Sequence, residues 1–257
     1  MNHGSRPSLH RLVAFLVLLL VLPTAIGGWW LQEVGTRHRL LIQAFFFPVE
    51  ILGVLSPALI LSTGTERTAV LRWRPARWTW IGLAILGSLG LGGLLTYAQT
   101  LWQDATHLAP PAGLDWLLGI HSWASGAVLV LGAALVPAIC EETAFRGLVL
   151  SGLERWGGPI AVAITTVLFA AYHLDLYGIP TYLVLGAFLA WLAWRSGSIL
   201  PGIAAHATNN LLALGQVNGF GEDWWWAHVW AIAPAAAVVA IAAIVGLQRS
   251  LPRTESP

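Results

Sequence analysis

The sequence predicts an all-α membrane protein, a polytopic bundle of about eight transmembrane helices. Hydrophobic residues make up 57% of the 257 residues and charged residues only 10%, whereas soluble domains average about 25% charged residues. Apolar runs of about 20 residues, the length needed to cross the hydrocarbon core, recur along the chain. Because so few charges cannot cover a water-facing surface, the lipid bilayer is the expected partner of most of the exterior.

Eight apolar segments are interpreted as spans, with seven as the alternative count. The first, behind Arg6 and Arg11, is interpreted as a retained helix because its apolar run is too long for a signal peptide and no clean cleavage site follows. Within 114–153, one long span follows an interfacial piece around Trp116 and Trp123. The predicted spans are 12–31, 40–61, 78–102, 127–153, 159–172, 179–194, 199–214 and 230–247.

The distribution of charged residues predicts that both termini face the cytoplasm. Basic residues concentrate in cytoplasmic loops of membrane proteins, and an N-terminus inside puts most basic segments on that side. Those segments are the loop 62–78, the loops with Arg155 and Arg195, and the tail with Arg249 and Arg253. The acidic loops, with Asp104, Asp115, Asp175, Glu222 and Asp223, then fall outside. The loop with Arg37 and Arg39 is the exception. A prokaryotic plasma membrane is the expected location.

The same counts exclude some classes of protein. The formal net charge is +1, which gives no indication of nucleic acid binding. Cys140 is the only cysteine, so an internal disulfide and a multi-cysteine metal site are both excluded. The informative positions are therefore polar residues inside apolar spans, where a charge costs about 2.5–3.5 kcal/mol at the bilayer centre by insertion scales.

The first polar cluster is Glu141-Glu142-Thr143-Ala144-Phe145-Arg146 in the fourth span. Glu142 and Arg146 are spaced i,i+4, which places them on one helix face as an ion pair. Glu141 points about 100° away, an angle that follows from 3.6 residues per turn, and has no such partner in its own helix. Glu141 is therefore the candidate for a general base, and the alternative is a cytoplasmic loop in which all three charges are solvated.

Three further polar features lie in other spans. The second is Phe169-Ala-Ala-Tyr172-His173, for which a structural bond to a backbone carbonyl is the alternative role of the histidine. The third is His206-Ala-Thr208-Asn209-Asn210, with His206 and Asn210 on one helix face. The fourth is Glu50 in the second span, expected to pair with Arg146 or to bind substrate, with a structural ion pair as the favoured role.

Three motifs occur in a fixed order along the chain: Glu141-Glu142-x-x-x-Arg146, Phe169-x-x-x-His173 and His206-x-x-x-Asn210. This ordered set resembles the CPBP family, the CAAX-processing and bacteriocin-processing (Abi) intramembrane endopeptidases. The resemblance covers about residues 127–216. It implies a glutamate-dependent endopeptidase acting on a membrane-embedded peptide or protein, of the CAAX, bacteriocin or C-terminal-tail kind. It divides the chain into N-terminal helices 1–120, a catalytic core 121–216 and a last helix with its tail 217–257.

The resemblance also implies the site residues, Glu141, His173, His206 and Asn210, supported by Glu142, Arg146 and Phe169. In that family the first glutamate activates water, the first histidine assists it, and the last histidine and asparagine form the oxyanion hole. The chemistry agrees, because amide hydrolysis needs an activated water and donors aimed at the oxyanion. Neutral His206 is expected to be one of these donors. No cofactor is favoured, and zinc held by Glu141, His173 and His206 is the alternative, since three ligands plus water suit catalytic zinc.

Other classes of function remain open from the sequence. A transporter or an immunity protein would use the same buried charges as an ion or proton path, and a degenerate family member would serve as a scaffold. Straight, untilted helices would spread the four site residues over more than about 10 Å, from a rise of 1.5 Å per residue. Catalysis therefore requires that tilt, a broken span or a kink near Pro137 brings them together.

Overall fold

The computed structural model describes residues 6–34, 38–219 and 222–250, and each regular element in these ranges is a helix. The prediction of an all-α fold is confirmed. Residues 251–257, with Arg253, and Arg37 lie outside the described residues. The helices are α1 (Leu9–Val34), α2 (Arg39–Leu61), α3 (Arg67–Val70), α4 (Trp78–Thr106), α5 (Leu114–Leu118), α6 (Trp123–Trp156), α7 (Gly158–Tyr172), α8 (Ile179–Ser196), α9 (Leu200–Val217) and α10 (Glu222–Arg249).

Four of these helices are long and apolar enough to cross a membrane: α1, α2, α4 and α6. They correspond to the first four predicted spans. Helix α7 and the part of α10 from Ala233 to Arg249 are apolar but shorter. Helices α8 and α9 each have 18 residues, and α9 includes the polar residues of the third cluster. The fold is therefore that of a membrane helical bundle with four long apolar helices.

Hydrogen bonds tie the predicted cytoplasmic segments together at one end of the bundle. Arg11 near the start of α1 donates to the carbonyl oxygen of Thr63 after α2 (2.6 Å). Arg72, between α3 and α4, forms an ion pair with Glu154 near the end of α6 (2.6 Å). The backbone N–H of Ile199, just before α9, donates to the Arg72 carbonyl (3.1 Å). Four segments far apart in sequence thus meet at this end.

A second set of hydrogen bonds joins segments at the opposite ends of these helices. The side chain of Gln43 donates to the carbonyl of Leu117 in α5 (2.9 Å). Asn218, which follows α9, donates to the Leu118 carbonyl (3.0 Å). The segments at this end are not those that meet around Arg72, so the bundle has two distinct loop ends.

Three stretches of wide π-helix interrupt the long helices: Val49–Leu55 in α2, and Val130–Leu135 and Glu142–Val149 in α6. The first two run directly into helical segments that begin with proline in the first turn, Pro57 and Pro137. Proline has no N–H to donate and its ring crowds the preceding turn, which favours a wider turn before it. The third stretch contains no proline and carries Glu142 and Arg146.

The part of α6 that carries the first polar cluster lies at the centre of a buried core. Phe145 and Leu148 of α6 pack with Phe15 of α1, Val54 of α2 and Phe169 of α7. Each of these side chains is at most 1% exposed. Helix α6 is thus enclosed on several sides by other helices, so its polar residues face protein rather than lipid.

Candidate active site

The centre of the site is the ion pair between Glu142 and Arg146. Glu142 Oε1 lies 3.0 Å from Arg146 Nη1, and neither side chain has any exposed surface. Arg146 Nη2 also donates to the backbone carbonyl of Gly186 in α8 (3.1 Å). The predicted i,i+4 pair is therefore present. The third partner, the backbone oxygen of Gly186, was not predictable from the sequence.

His206 of α9 joins this pair from a neighbouring helix. Its Nδ1 lies 3.0 Å from Glu142 Oε1, and its Nε2 lies 3.8 Å from Glu141 Oε2. Gly202, one helical turn before His206, makes this approach possible, since a Cβ at that position would lie 2.7 Å from Glu142 Oε2. Both glutamates of the first motif therefore contact the histidine of the third.

The contacts of His206 decide which of its ring nitrogens carries a proton. Arg146 is a permanent cation, so the Glu142 oxygen that it contacts is an ionised carboxylate and only accepts hydrogen bonds. Nδ1 of His206 must then be the donor in the 3.0 Å contact. In a neutral ring Nε2 would carry no hydrogen, so it donates only when the ring is an imidazolium. In this arrangement a neutral His206 donates through Nδ1 to Glu142, and its donation to an oxyanion stays a prediction.

Phe169 of α7 links the three motifs through its ring. The Arg146 guanidinium carbon lies 4.1 Å from the Phe169 ring centroid, within the range of a cation–π contact. The same ring lies edge-on to His173, with centroids 4.8 Å apart, and to His206, with centroids 5.7 Å apart. Glycine at position 186 permits this packing, because a Cβ there would lie 3.1 Å from Phe169 Cδ1.

His173 caps the C-terminal end of α7, and its ring is held by two contacts. Nδ1 lies 2.8 Å from the carbonyl oxygen of Phe169. A carbonyl only accepts, so Nδ1 is protonated and Nε2 of the neutral ring is free to accept a hydrogen bond. The ring also stacks on Tyr182 of α8, with centroids 3.9 Å apart and planes at 21°. The hydroxyl of Tyr182 donates to Asp175 Oδ2 (3.0 Å).

Tyr182 and Asp175 were not singled out from the sequence as site residues. Asp175 also accepts from the backbone N–H groups of Tyr177 and Gly178, which stabilises the short loop after His173. The only sequence signal is an aspartate two and three residues before the N–H groups it accepts from, as in an Asx turn. That pattern predicts a turn and says nothing about a ring stacked on His173.

Asn210 lies on the same side of α9 as His206, one turn further along. Its amide nitrogen is 3.4 Å from the carbonyl oxygen of Ala134 in α6, a long contact that holds it weakly. Thr208 donates instead to the Ala204 carbonyl of its own helix (2.8 Å). Asn210 and His206 therefore both direct a hydrogen-bond donor of the third motif toward α6.

The structure joins the three motifs in one continuous cluster. From the sequence, this convergence was a requirement for catalysis. Glu141 and Glu142 contact His206, and Phe169 connects His206 with His173. Glu141 lies between two π-helical stretches of α6, so the span that carries it is not a regular α-helix, as convergence of the site residues was expected to require.

Two predicted groupings of side chains, the Glu50–Arg146 pair and the possible zinc ligands, are not found among the described residues. The favoured ion pair between Glu50 and Arg146 is wrong, because Arg146 pairs with Glu142 and no ion pair of Glu50 occurs among the described residues. Within residues 6–34, 38–219 and 222–250, no three His, Cys, Asp or Glu side chains are grouped to hold a metal ion. Glu141, His173 and His206, the set named for zinc, do not form such a group.

Comparison with known proteins identifies the segment that carries this site. Residues 121–212 match the family model of the type II CAAX prenyl endopeptidase Rce1-like proteins. No curated protein and no solved structure matches the chain. The matched segment begins just before α6 and ends within α9, so it includes all three motifs and excludes α1 to α4. The segment 121–212, which carries the site, is therefore similar to the Rce1-like type II CAAX prenyl endopeptidases, a family of peptide hydrolases.

Proposed function

We propose that this protein is a glutamate-dependent intramembrane endopeptidase that hydrolyses a peptide bond in a membrane-associated protein or peptide. The observation that carries the proposal is the single cluster formed by Glu141, Glu142, His206, Phe169 and His173. An acid–base site needs such groups within reach of one reacting water. The family match to peptide hydrolases supports the same reaction class.

Glu141 is the proposed general base. Glu142 is committed to Arg146 and to His206, so taking a proton would weaken two charged contacts at once. Glu141 has no comparable commitment, since its Oε2 is buried without a hydrogen-bond partner and lies 3.8 Å from His206. A carboxylate with a free oxygen is suited to accept the proton of a water that attacks the scissile carbonyl.

His173 is the proposed second group on the water and the leaving amine. With Nδ1–H bonded to the Phe169 carbonyl, Nε2 is the atom available to accept a hydrogen bond from water. After the attack, the proton removed from water must reach the nitrogen of the breaking C–N bond. Nε2 of His173 is suited to take up that proton and release it to the amine, and the ring then returns to its neutral form.

The oxyanion donors are proposed to be His206 and Asn210, with a changed protonation state for the histidine. Because Nδ1–H of His206 points to Glu142, Nε2 donates to an oxyanion only from the imidazolium form. Glu142 Oε1 lies 3.0 Å from Nδ1 of the ring, and Glu141 Oε2 lies 3.8 Å from its Nε2. The Asn210 amide, held only by a 3.4 Å contact, is free to turn toward the oxyanion.

The proposed topology has eight crossings with both termini in the cytoplasm of a prokaryotic cell. Its support is the meeting of Thr63, Arg72, Glu154 and Ile199 at one end of the bundle, where the basic loops also lie. Reporter fusions after Arg74 and at the C-terminus are both expected to report a cytoplasmic location. A periplasmic signal at the C-terminus would require an odd number of crossings and contradict this topology.

The test of the reaction is a comparison of membrane peptides with and without activity. Cells lacking the gene would be complemented with the wild-type protein or with Glu141→Gln, at matched membrane levels. We expect uncleaved membrane-anchored precursors to accumulate equally in the deletion and in the variant, and to disappear with the wild type. The purified protein should then cleave such a precursor in detergent. Identical peptide profiles in all three strains, with no cleavage in vitro, would overturn the proposal.

A further inference from the structure

One buried carboxyl group near the site has no role in the mechanism described so far. Glu50 lies at the start of the π-helical stretch Val49–Leu55 of α2, and only 6% of its surface is exposed. Its Oε2 is buried and has no hydrogen-bond partner. Leaving such a group unsatisfied is costly, and each instance in a native protein calls for an explanation.

The surroundings of Glu50 place it beside the proposed base. The stretch Val49–Leu55 packs against Val136–Glu141 of α6. Val54 of that stretch and Cys140 of α6 lie in one buried core, and Tyr172 of α7 packs against it. Glu50 therefore belongs to the buried stretch of α2 that packs on the segment of α6 ending at Glu141.

The charges around Glu50 decide its form in the folded protein. Among the described residues it has no ion pair, and Arg146, the partner expected from the sequence, is held by Glu142. Cys140 and Tyr172 supply no positive charge. Two neighbouring carboxyl groups without a cation between them do not both ionise, because the like charges repel in a medium of low dielectric. When Glu141 acts as the base, Glu50 is the member of the pair that keeps its proton.

We propose that Glu50 is a positioning residue for the reaction: as a neutral carboxyl group it donates a hydrogen bond to the Glu141 carboxylate, directly or through one water molecule. Such a bond would hold one oxygen of Glu141 and leave the other aimed at the attacking water. It also accounts for a buried carboxyl group with no cation. The inference rests on the proposed function, because it assigns Glu141 as the base.

The test uses two substitutions of Glu50 in the full-length protein, with cleavage rate, pH dependence and melting temperature measured for each. Glu50→Gln keeps a neutral donor, so we expect a rate within about threefold of wild type. Glu50→Leu removes the donor and is expected to lower kcat about tenfold or more, with little change in KM. Its melting temperature should change little, because the loss of one hydrogen bond is offset by burying an apolar side chain in place of a carboxyl group.

The pH profile separates positioning from a merely structural role. Loss of a donor to the ionised base should move the acid limb of kcat/KM in Glu50→Leu toward higher pH. Val54→Ala, in the same stretch and fully buried, is the matched control: it should lower the melting temperature and leave the limb in place. A shift toward lower pH in Glu50→Leu would indicate a charged Glu50 and overturn the proposal, as would wild-type kcat and an unmoved limb.

The outcome for Glu50 can be told apart from failure of the proposed function. Glu141→Gln is measured with the same substrate in the same preparation. If Glu141→Gln keeps wild-type turnover, the assignment of the base is wrong and the role of Glu50 falls with it. If Glu141→Gln is inactive and both Glu50 variants behave as wild type, only the inference about Glu50 is overturned.

Discussion

The most informative perturbation separates the two adjacent glutamates, which differ in sequence by one position and in structure by their partners. Glu142 contacts Arg146 and His206, both at 3.0 Å. Among the described ion pairs, Glu141 takes part in one, with His206 at 3.8 Å, and its Oε2 has no hydrogen-bond partner. Substituting each glutamate by glutamine removes one negative charge with little change in shape. The two substitutions should therefore have different effects on stability and on turnover.

The expected loss of stability follows from the burial of the pair. Glu142 and Arg146 have no exposed surface, so Glu142→Gln leaves the guanidinium without a compensating charge. Removing one partner of such a buried pair destabilises a protein by about 3–5 kcal/mol. Arg146→Ala should cost a similar amount, because it leaves the Glu142 carboxylate uncompensated. Glu141→Gln removes no close ion pair of this kind, so its melting temperature should stay near that of the wild type.

Turnover is expected to respond differently from stability, because Glu141→Gln should lose activity while it stays folded. An amide does not accept the proton of the attacking water, and general-base catalysis contributes about 10²–10⁴-fold. Glu141→Gln should therefore fold, bind substrate and lose activity by that factor. Glu142→Gln should lose activity together with folded yield. Cleavage rate and melting temperature of each purified variant, measured in one detergent, distinguish the two cases.

Two results would refute this division of roles. If Glu141→Gln keeps near-normal turnover while a well-folded Glu142→Gln is inactive, the base has been assigned to the wrong glutamate. If both variants are folded and active, hydrolysis by a glutamate-activated water is the wrong mechanism. Glu142→Asp is a useful companion, because it keeps the charge but shortens the reach to Arg146 and His206.

Three other predictions concern the remaining groups. His206→Ala and Asn210→Ala should each fold and lose about 10²–10³ in rate if each supplies one oxyanion donor. A higher KM with an unchanged kcat would contradict that role. Tyr182→Phe breaks the 3.0 Å bond to Asp175 but keeps the ring stacked on His173; kcat should fall less than in Tyr182→Ala, and equal rates in both would contradict a positioning role. Strong chelators should leave activity in detergent intact, whereas stoichiometric zinc whose removal abolishes activity would favour a metal mechanism.

Local geometry along a helix was predictable from the sequence at several positions. The spacing of Glu142 and Arg146 predicts a pair on one face, and the structure contains it. Apolar runs predict the long helices α1, α2, α4 and α6, because 20 apolar residues in lipid have to satisfy their backbone groups internally as a helix. Both inferences need only the rise and turn of a single helix.

Relations between helices were not predictable in the same way. The contact of His206 with Glu142 depends on Gly202 letting α9 approach α6, and on wide turns in α6 that change its register. The expected pair of Glu50 with Arg146 was wrong for this reason, since opposite charges in separate spans carry no information about the facing register. The same holds for Tyr182 against His173, which is set by the loop held by Asp175.

The sequence by itself determined that this is an all-α membrane protein and which polar residues lie within its apolar helices, because hydropathy and i,i+4 spacing are properties of one segment at a time. Only the tertiary structure decided which of those residues touch. It showed that one glutamate is bound by an arginine and a histidine, that its neighbour keeps an oxygen without a hydrogen-bond partner, and that Glu50 is buried with no ion pair among the described residues. Contacts of this kind depend on how closely two helix backbones approach and in what register they pack.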